Sequence, residues 1–256
     1  MPPSRGIFCF ARILFTGNSL KGTGFSPYIM PSQEPGALAP EGLPFNPNRS
    51  SYTNSAQRPS MQQIIDFILE LDKLKAVTRK VRPLGLDRYE NSAEHSWQIA
   101  LMAASLAPYA ESPAHSPIDV PHVVFMLLVH DIGEIDAGDT MVFVEGGWEQ
   151  RKAAELACVT RIFGLLPPAQ GAAWLALWQE FEDAQTPESR FAHSVDRAMP
   201  VLLNLNNKGQ SWRENGISYD RVVRRVAPEI KAGCPALWNY LAPLLEEARH
   251  KGFFAA

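Results

Sequence analysis

A chain of 256 residues with 46% hydrophobic content can build one sizeable core or two small ones. Its net charge of −3 offers no global basic field for nucleic acid or an anionic membrane, and no apolar run approaches the ~20 residues that span a bilayer. Cys9, Cys158 and Cys234 are odd in number, far apart and without C-x-x-C spacing, which argues against a disulfide framework or a cysteine-rich zinc centre and fits a reducing cytoplasm.

Residues 1–60 hold nine of the 21 prolines and little periodicity, so 1–59 reads as a disordered leader. Its first 33 residues carry Arg5, Arg12 and Lys21, no acid, and the apolar run Phe8–Phe15, a targeting-like pattern. The alternatives are a functionless tail or an over-extended start, with Met30 or Met61 as the true beginning.

From residue 60 the pattern is helical throughout. Ser60 and Gln63 form a capping box opening 61–78, with Ile64, Ile65, Ile68, Leu71 and Leu74 at helical spacing. Ser92 can cap a second helix running through Trp97 to about Tyr109. Asp119-Val120-Pro121 starts a third that carries His130 and Asp131 near its end and closes at Gly138. Further helices are predicted at about 148–164, 169–184, 187–205, 218–231 and 235–250, separated by Pro167-Pro168, Thr186-Pro187, Lys208-Gly209 and Gly233. No alternating run is long enough for a strand and no repeat occurs. The predicted class is one all-α domain over 60–252.

An adjacent His130-Asp131 follows the apolar run Phe125–Val129, where burial of either group is costly unless it is paired or binds a metal. Glu134 lies one turn along and shares their helix face. His95 sits in the first turn of its helix beside Glu94, and Asp196 lies among Phe191, Val195, Met199 and Val201. Imidazole and carboxylate are ordinary ligands for Mn, Fe, Co or Zn. Taken singly, each residue has an ordinary structural explanation; Arg190 or Arg197 could pair with Asp196. His115, His122, His193 and His250 carry no functional claim.

The elements Glu90-Asn91-Ser92-Ala93-Glu94-His95-Ser96-Trp97, His130-Asp131-Ile132-Gly133-Glu134 and Gly138-Asp139 together resemble the HD superfamily of metal-dependent phosphohydrolases, and within it the 5′-deoxynucleotidase branch. The resemblance covers about 61–205 and implies a helical bundle enclosing one divalent ion (Mn, Co, Mg, Zn or Fe). It implies His95, His130, Asp131 and Asp196 as metal ligands and Glu134 as the residue that positions or deprotonates the attacking water. It implies Asp139 near the sugar 3′-hydroxyl and Arg79 at the substrate phosphate. Arg88 is a second basic candidate, equally readable as a loop-bracing arginine. The implied activity is a phosphomonoesterase on (deoxy)nucleoside 5′-monophosphates, in a homodimer. No Ser-His-Asp or Cys-His nucleophile signature competes with it.

One departure stands out: the branch's tryptophan after the pocket arginine is Lys80 here, and the loop Val81–Asp87 is about one residue longer. This unsettles the deoxyribose preference but not the metal chemistry. An HD phosphodiesterase acting on another nucleotide, or a catalytically silent metal-binding module, are the competing expectations. Trp174, Trp178, Trp212 and Trp238 read as packing, with a dimer interface or a substrate wall as the other use.

Overall fold

Ser60 opens the first helix, α1 (Met61–Leu71): its hydroxyl accepts from Gln63 N–H and the Gln63 side chain returns to the Ser60 N–H. A 3₁₀ stretch, Asp72–Ala76, continues it. The remaining helices are α2 (Ser92–Leu106), α3 (Val120–Val129), α4 (Glu134–Ala137), α5 (Trp148–Phe163), α6 (Pro168–Asp183), α7 (Pro187–Asn206), α8 (Gln210–Glu214), α9 (Tyr219–Gly233) and α10 (Pro235–His250). This computed structural model describes residues 59–112 and 116–255. Residues 1–58 of the leader predicted at 1–59, Cys9 among them, and His115 lie outside the described residues. Among these the fold is all-α, as expected, with a single isolated antiparallel bridge between Thr78 and Asn91.

The centre of the bundle is α7. Residues such as Phe191, Ala192, Val195, Ala198, Met199 and Val201 are buried around most of its circumference, the mark of a helix enclosed by others. It packs against α9, α3, α2 and α6. Thr186 and Ser189 cap its start reciprocally, with Pro187 at the first position, where the lost N–H costs nothing. A second aromatic cluster brings Phe67, Phe125 and Phe163 edge-on around Trp174, so Trp174 is core packing. Trp178 and Trp238 are buried as well.

Two differences from the sequence pattern have simple geometric causes. In α1 the inward stripe is Ile64, Phe67 and Leu71, continued by Leu74, while Ile65 and Ile68 are exposed, being about 100° off that stripe. In α2 the true N-cap is Asn91, whose carboxamide oxygen accepts from Glu94 N–H while Glu94 returns to the Asn91 N–H. Its buried face runs through Ser92, His95, Ser96, Ile99 and Ala103, leaving Trp97 and Leu101 outside. The short α8 was not foreseen. It is held by Asn204 Oδ1, which accepts from Ser211 N–H at 3.0 Å and Trp212 N–H at 3.4 Å.

Candidate metal centre

Three backbone devices deliver the candidate residues to one place. The first is a short antiparallel pairing: Arg79 N–H donates to Glu90 O (2.9 Å), Glu90 N–H to Val81 O (2.8 Å) and Ser92 N–H to Val77 O (3.1 Å). It sets Arg79 beside Glu90 and launches α2 with His95 in its first turn.

The second is the break in the third predicted helix. At His130 the α-helix tightens into a 3₁₀ turn over His130–Gly133, then relaxes into α4, which ends at Gly138 with φ +77°. A β-carbon would be strained there. Trp178 Nε1–H holds the turn by donating to His130 O at 2.9 Å. Gly133 lets α5 approach closely, since a Cβ there would lie 2.8 Å from Glu155 Cβ and 3.1 Å from Glu155 Cα. The third device is α7, which carries Asp196 at mid-length.

The side chains converge. His95 Nε2 lies 2.9 Å from Asp196 Oδ1, His130 Nε2 2.9 Å from Asp131 Oδ1 and 3.9 Å from Asp196 Oδ1. One ligating atom each from His95, His130 and Asp131 falls within 4.8 Å of the others, and all three residues are buried. Each aspartate has its outer oxygen tied to an arginine: Asp131 Oδ2 accepts from Arg79 Nη1 (2.9 Å) and Asp196 Oδ2 from Arg197 Nη1 (2.7 Å). The inner oxygens face the imidazoles.

The protonation pattern fits a cation. His130 Nδ1–H donates to Leu127 O at 2.8 Å, which places the lone pair on Nε2, and buried Nε2 makes no hydrogen bond although Asp131 Oδ1 lies 2.9 Å away. His95 Nδ1 faces Glu90 Oε2 at 3.5 Å, leaving His95 Nε2 to meet a carboxylate oxygen. Lone pairs facing each other at 2.9 Å need a proton or a metal between them. Burial alone would raise the Asp196 pKa, but the Arg197 charge and His95 hold it well below the usual carboxylate range. Asp131 behaves alike: His130 and Arg79 outweigh burial and keep it low. The orphaned imidazole nitrogen and the paired inner oxygens suit one divalent cation of the borderline-to-hard kind.

Around this point lies a cavity of about 660 Å³, lined by Arg79, Lys80, Glu134, Asp139 and Glu155 as well as His130, Asp131 and Asp196. Glu134 accepts from Ser92 Oγ–H at 2.6 Å. Burial, then the charge of Asp131, raises its pKa well above that of an ordinary glutamate. Asp139 is raised too, mainly by burial. Arg79 is clamped by Asp131, by Glu90 (3.6 Å) and by Asp139 (3.7 Å), and stays charged despite its burial. Of the two uses expected for Arg88, its contacts match the loop-bracing one. Its guanidinium forms a bidentate pair with Glu94 (2.6 and 2.8 Å) on the exposed side, and it does not line the cavity.

Several contributors were not singled out beforehand: Glu90, Ser92, Glu155 and Trp148. Glu90 and Ser92 could have been suspected from their positions in the Glu90–His95 motif. Glu155 and Trp148 have no local signal, because their partners are distant in sequence. His193 lines the cavity, but its Nε2 is occupied by Phe181 O (2.7 Å) and its ring stacks on Phe181. Trp212 also lines the cavity, so of the four tryptophans read as packing it forms part of a wall.

An all-α bundle that gathers two histidines and an aspartate in one group, with a second aspartate against both imidazoles and a glutamate and an arginine at hand, defines a metal-dependent phosphohydrolase of the HD kind. The HD domain family matches residues 71–238, and the chain belongs to that family. Its fold is similar to the crystal structure of a predicted metal-dependent phosphohydrolase from Magnetospirillum magnetotacticum, 39% identical, with a TM-score of 0.71 over 77% of this chain and 97% of that one. Curated relatives named 5′-deoxynucleotidase HDDC2 are more distant. The Dictyostelium discoideum protein is 27% identical over 145 residues, covering 56% of this chain and 76% of the relative. The Xenopus laevis protein is 23% identical over 143 residues, covering 54% and 68%.

Proposed function

We propose that residues 60–252 form a phosphomonoesterase that releases phosphate from nucleoside 5′-monophosphates, with His95, His130, Asp131 and Asp196 holding one divalent ion. The observation that carries this reading is the placement of Arg79. Its guanidinium lies 2.9 Å from Asp131 and lines the same cavity as Glu134 and Asp139. A phosphate-binding cation, a base and a metal-ligand cluster therefore share one space. The distant relatives named 5′-deoxynucleotidase support the substrate class.

A divalent ion in this centre supplies Lewis acidity, drawing charge from a phosphate oxygen and lowering the pKa of water. Arg79, rigidly clamped, orients the phosphate and offsets charge on its equatorial oxygens. Glu134, steered by the Ser92 hydroxyl, takes the proton from the attacking water; its raised pKa suits proton acceptance near neutral pH. The water oxygen bonds to phosphorus, the P–O5′ bond breaks, the departing alkoxide takes up a proton from solvent water, and Glu134 returns its proton to solvent. Asp139 stands on the cavity wall, where a sugar hydroxyl can donate to it. Lys80 lines the wall beside Arg79 and has no carboxylate partner among the described residues, so it is available to the sugar of either ribo- or deoxyribonucleotides.

The test is phosphate release from a panel of ribo- and deoxyribonucleoside 5′-monophosphates, with Mn, Co, Mg or Zn added, for wild type, Asp131→Ala and Glu134→Gln. Wild type is expected to turn over with at least one metal. Asp131→Ala is expected to lose bound metal and activity. Glu134→Gln should keep metal while kcat falls about 10²–10⁴-fold. No release from any monophosphate by folded, metal-loaded wild type would overturn the reading.

A further inference from the structure

A second concavity, of about 440 Å³, adjoins the catalytic cavity and shares Val142, Phe143, Trp148 and Arg225 with it. One wall is the loop 142–148. The other is a face of α9 presenting Arg221, Arg224 and Arg225 at i, i+3 and i+4 spacing. Three guanidiniums on one face repel one another unless anions stand between them, and here the anions are few. Arg225 is committed to Glu229 and to Val142 O. Arg221 donates to Phe143 O, and its carboxylate partner, Glu145 at 3.6 Å, has a side chain 91% exposed, a solvated pair of little worth. Arg224 is exposed and has no carboxylate partner among the described residues. Trp148 borders both spaces and adds an aromatic surface, with the Arg151 guanidinium, itself in the wall of the first cavity, 4.7 Å above its ring.

We infer that this concavity is a second phosphoryl-binding subsite continuous with the catalytic cavity, and that the fitting ligand class is a nucleotide carrying a second phosphate, such as a nucleoside bisphosphate. Planar guanidiniums that are not already saturated bind phosphate bidentately, and Arg221 and Arg224 both line the concavity. The second phosphate belongs either to the molecule whose first phosphate reaches Arg79 or to a separate phosphorylated ligand. The inference extends the phosphohydrolase reading to the length of its ligand, but its binding test does not depend on turnover.

The experiment is calorimetric titration of adenosine 5′-monophosphate and adenosine 3′,5′-bisphosphate into the full chain, with turnover silenced by Glu134→Gln. It is repeated in that background with Arg221→Gln and Arg224→Gln combined, and separately with Arg224→Glu, which changes only an exposed side chain. The bisphosphate is expected to bind about tenfold more tightly than the monophosphate. Both arginine variants should remove most of that advantage and leave monophosphate affinity unchanged. One equivalent per chain puts both phosphates on one molecule; two equivalents, one lost in the variants, put the second phosphate on a separate ligand. Equal affinity for the two nucleotides, or an advantage that survives both variants, overturns the subsite. Wild type that releases no phosphate while the bisphosphate advantage persists would refute the proposed function and leave the subsite standing.

Discussion

Replacing Glu155 by glutamine should remove a pH-dependent weakness of the metal-free protein. Glu155 stands on α5 against the His130–Gly133 turn, at a separation only a glycine at 133 permits. Burial, then the charges of Glu182 and Asp131, push its pKa from 4.5 to about 7. An acid whose pKa is higher in the folded state holds its proton there after the unfolded chain has released it. Its contribution to stability is therefore fully present below about pH 4.5 and lost as the pH rises through about 7. At ~1.4 kcal/mol per pH unit the interval amounts to about 3 kcal/mol, and because the side chain is only half-buried, solvent screening reduces this to roughly 1–2 kcal/mol. The assay is urea unfolding of wild type and Glu155→Gln in chelator between pH 4.5 and 8.5. Wild-type stability relative to the variant should fall by roughly 1–2 kcal/mol across that range. A difference that stays flat with pH would refute the argument, and with it the view that α5 presses an uncompensated carboxyl against the centre.

Gly133→Ala should destabilise the fold by about 1–3 kcal/mol in the same unfolding assay, because its methyl group meets the backbone of α5; unchanged stability would mean that α5 shifts freely. Glu90→Gln removes the carboxylate facing His95 Nδ1, and metal affinity measured against a competing chelator should fall about 10–100-fold with helix content intact. Equal affinity would show that Glu90 serves Arg79 alone. Arg88→Ala should leave KM, kcat and the urea unfolding midpoint unchanged, its pair with Glu94 being exposed; a raised KM would return Arg88 to the substrate.

Much of the bundle could be read in advance because its signals are local. Caps at Ser60 and Thr186, prolines at helix starts and glycines at turns act within one turn of chain, so most helix limits fall within a few residues of those predicted. The four candidate ligands were named in advance through the resemblance of the Glu90–Trp97, His130–Glu134 and Gly138-Asp139 elements, because taken singly a buried charge such as Asp196 among Phe191, Val195 and Met199 has an ordinary structural explanation. What could not be read is whatever depends on contacts between distant segments. Ser92 meets Glu134 across 42 residues and Arg79 meets Asp131 across 52. The five residues of α8 owe their conformation to Asn204 on another helix. The outward turn of Ile65 and Ile68 reflects phase, since an apolar residue off the packing stripe looks the same in a sequence as one on it.

The clamp on Arg79 has an evolutionary consequence. One guanidinium joins Glu90, Asp131 and Asp139, which come from the bridge segment, the 3₁₀ turn and the loop after α4. In the proposed function, substrate grip and metal grip would then form a single charge network, and a substitution that tunes one would move the other. Changes at these four positions should be strongly epistatic, tolerated in compensating sets and damaging alone. Divergence toward new substrates has a freer course along the far rim, through Lys80, Trp148 and the arginines of α9, where a side chain can be exchanged without unsettling the ion.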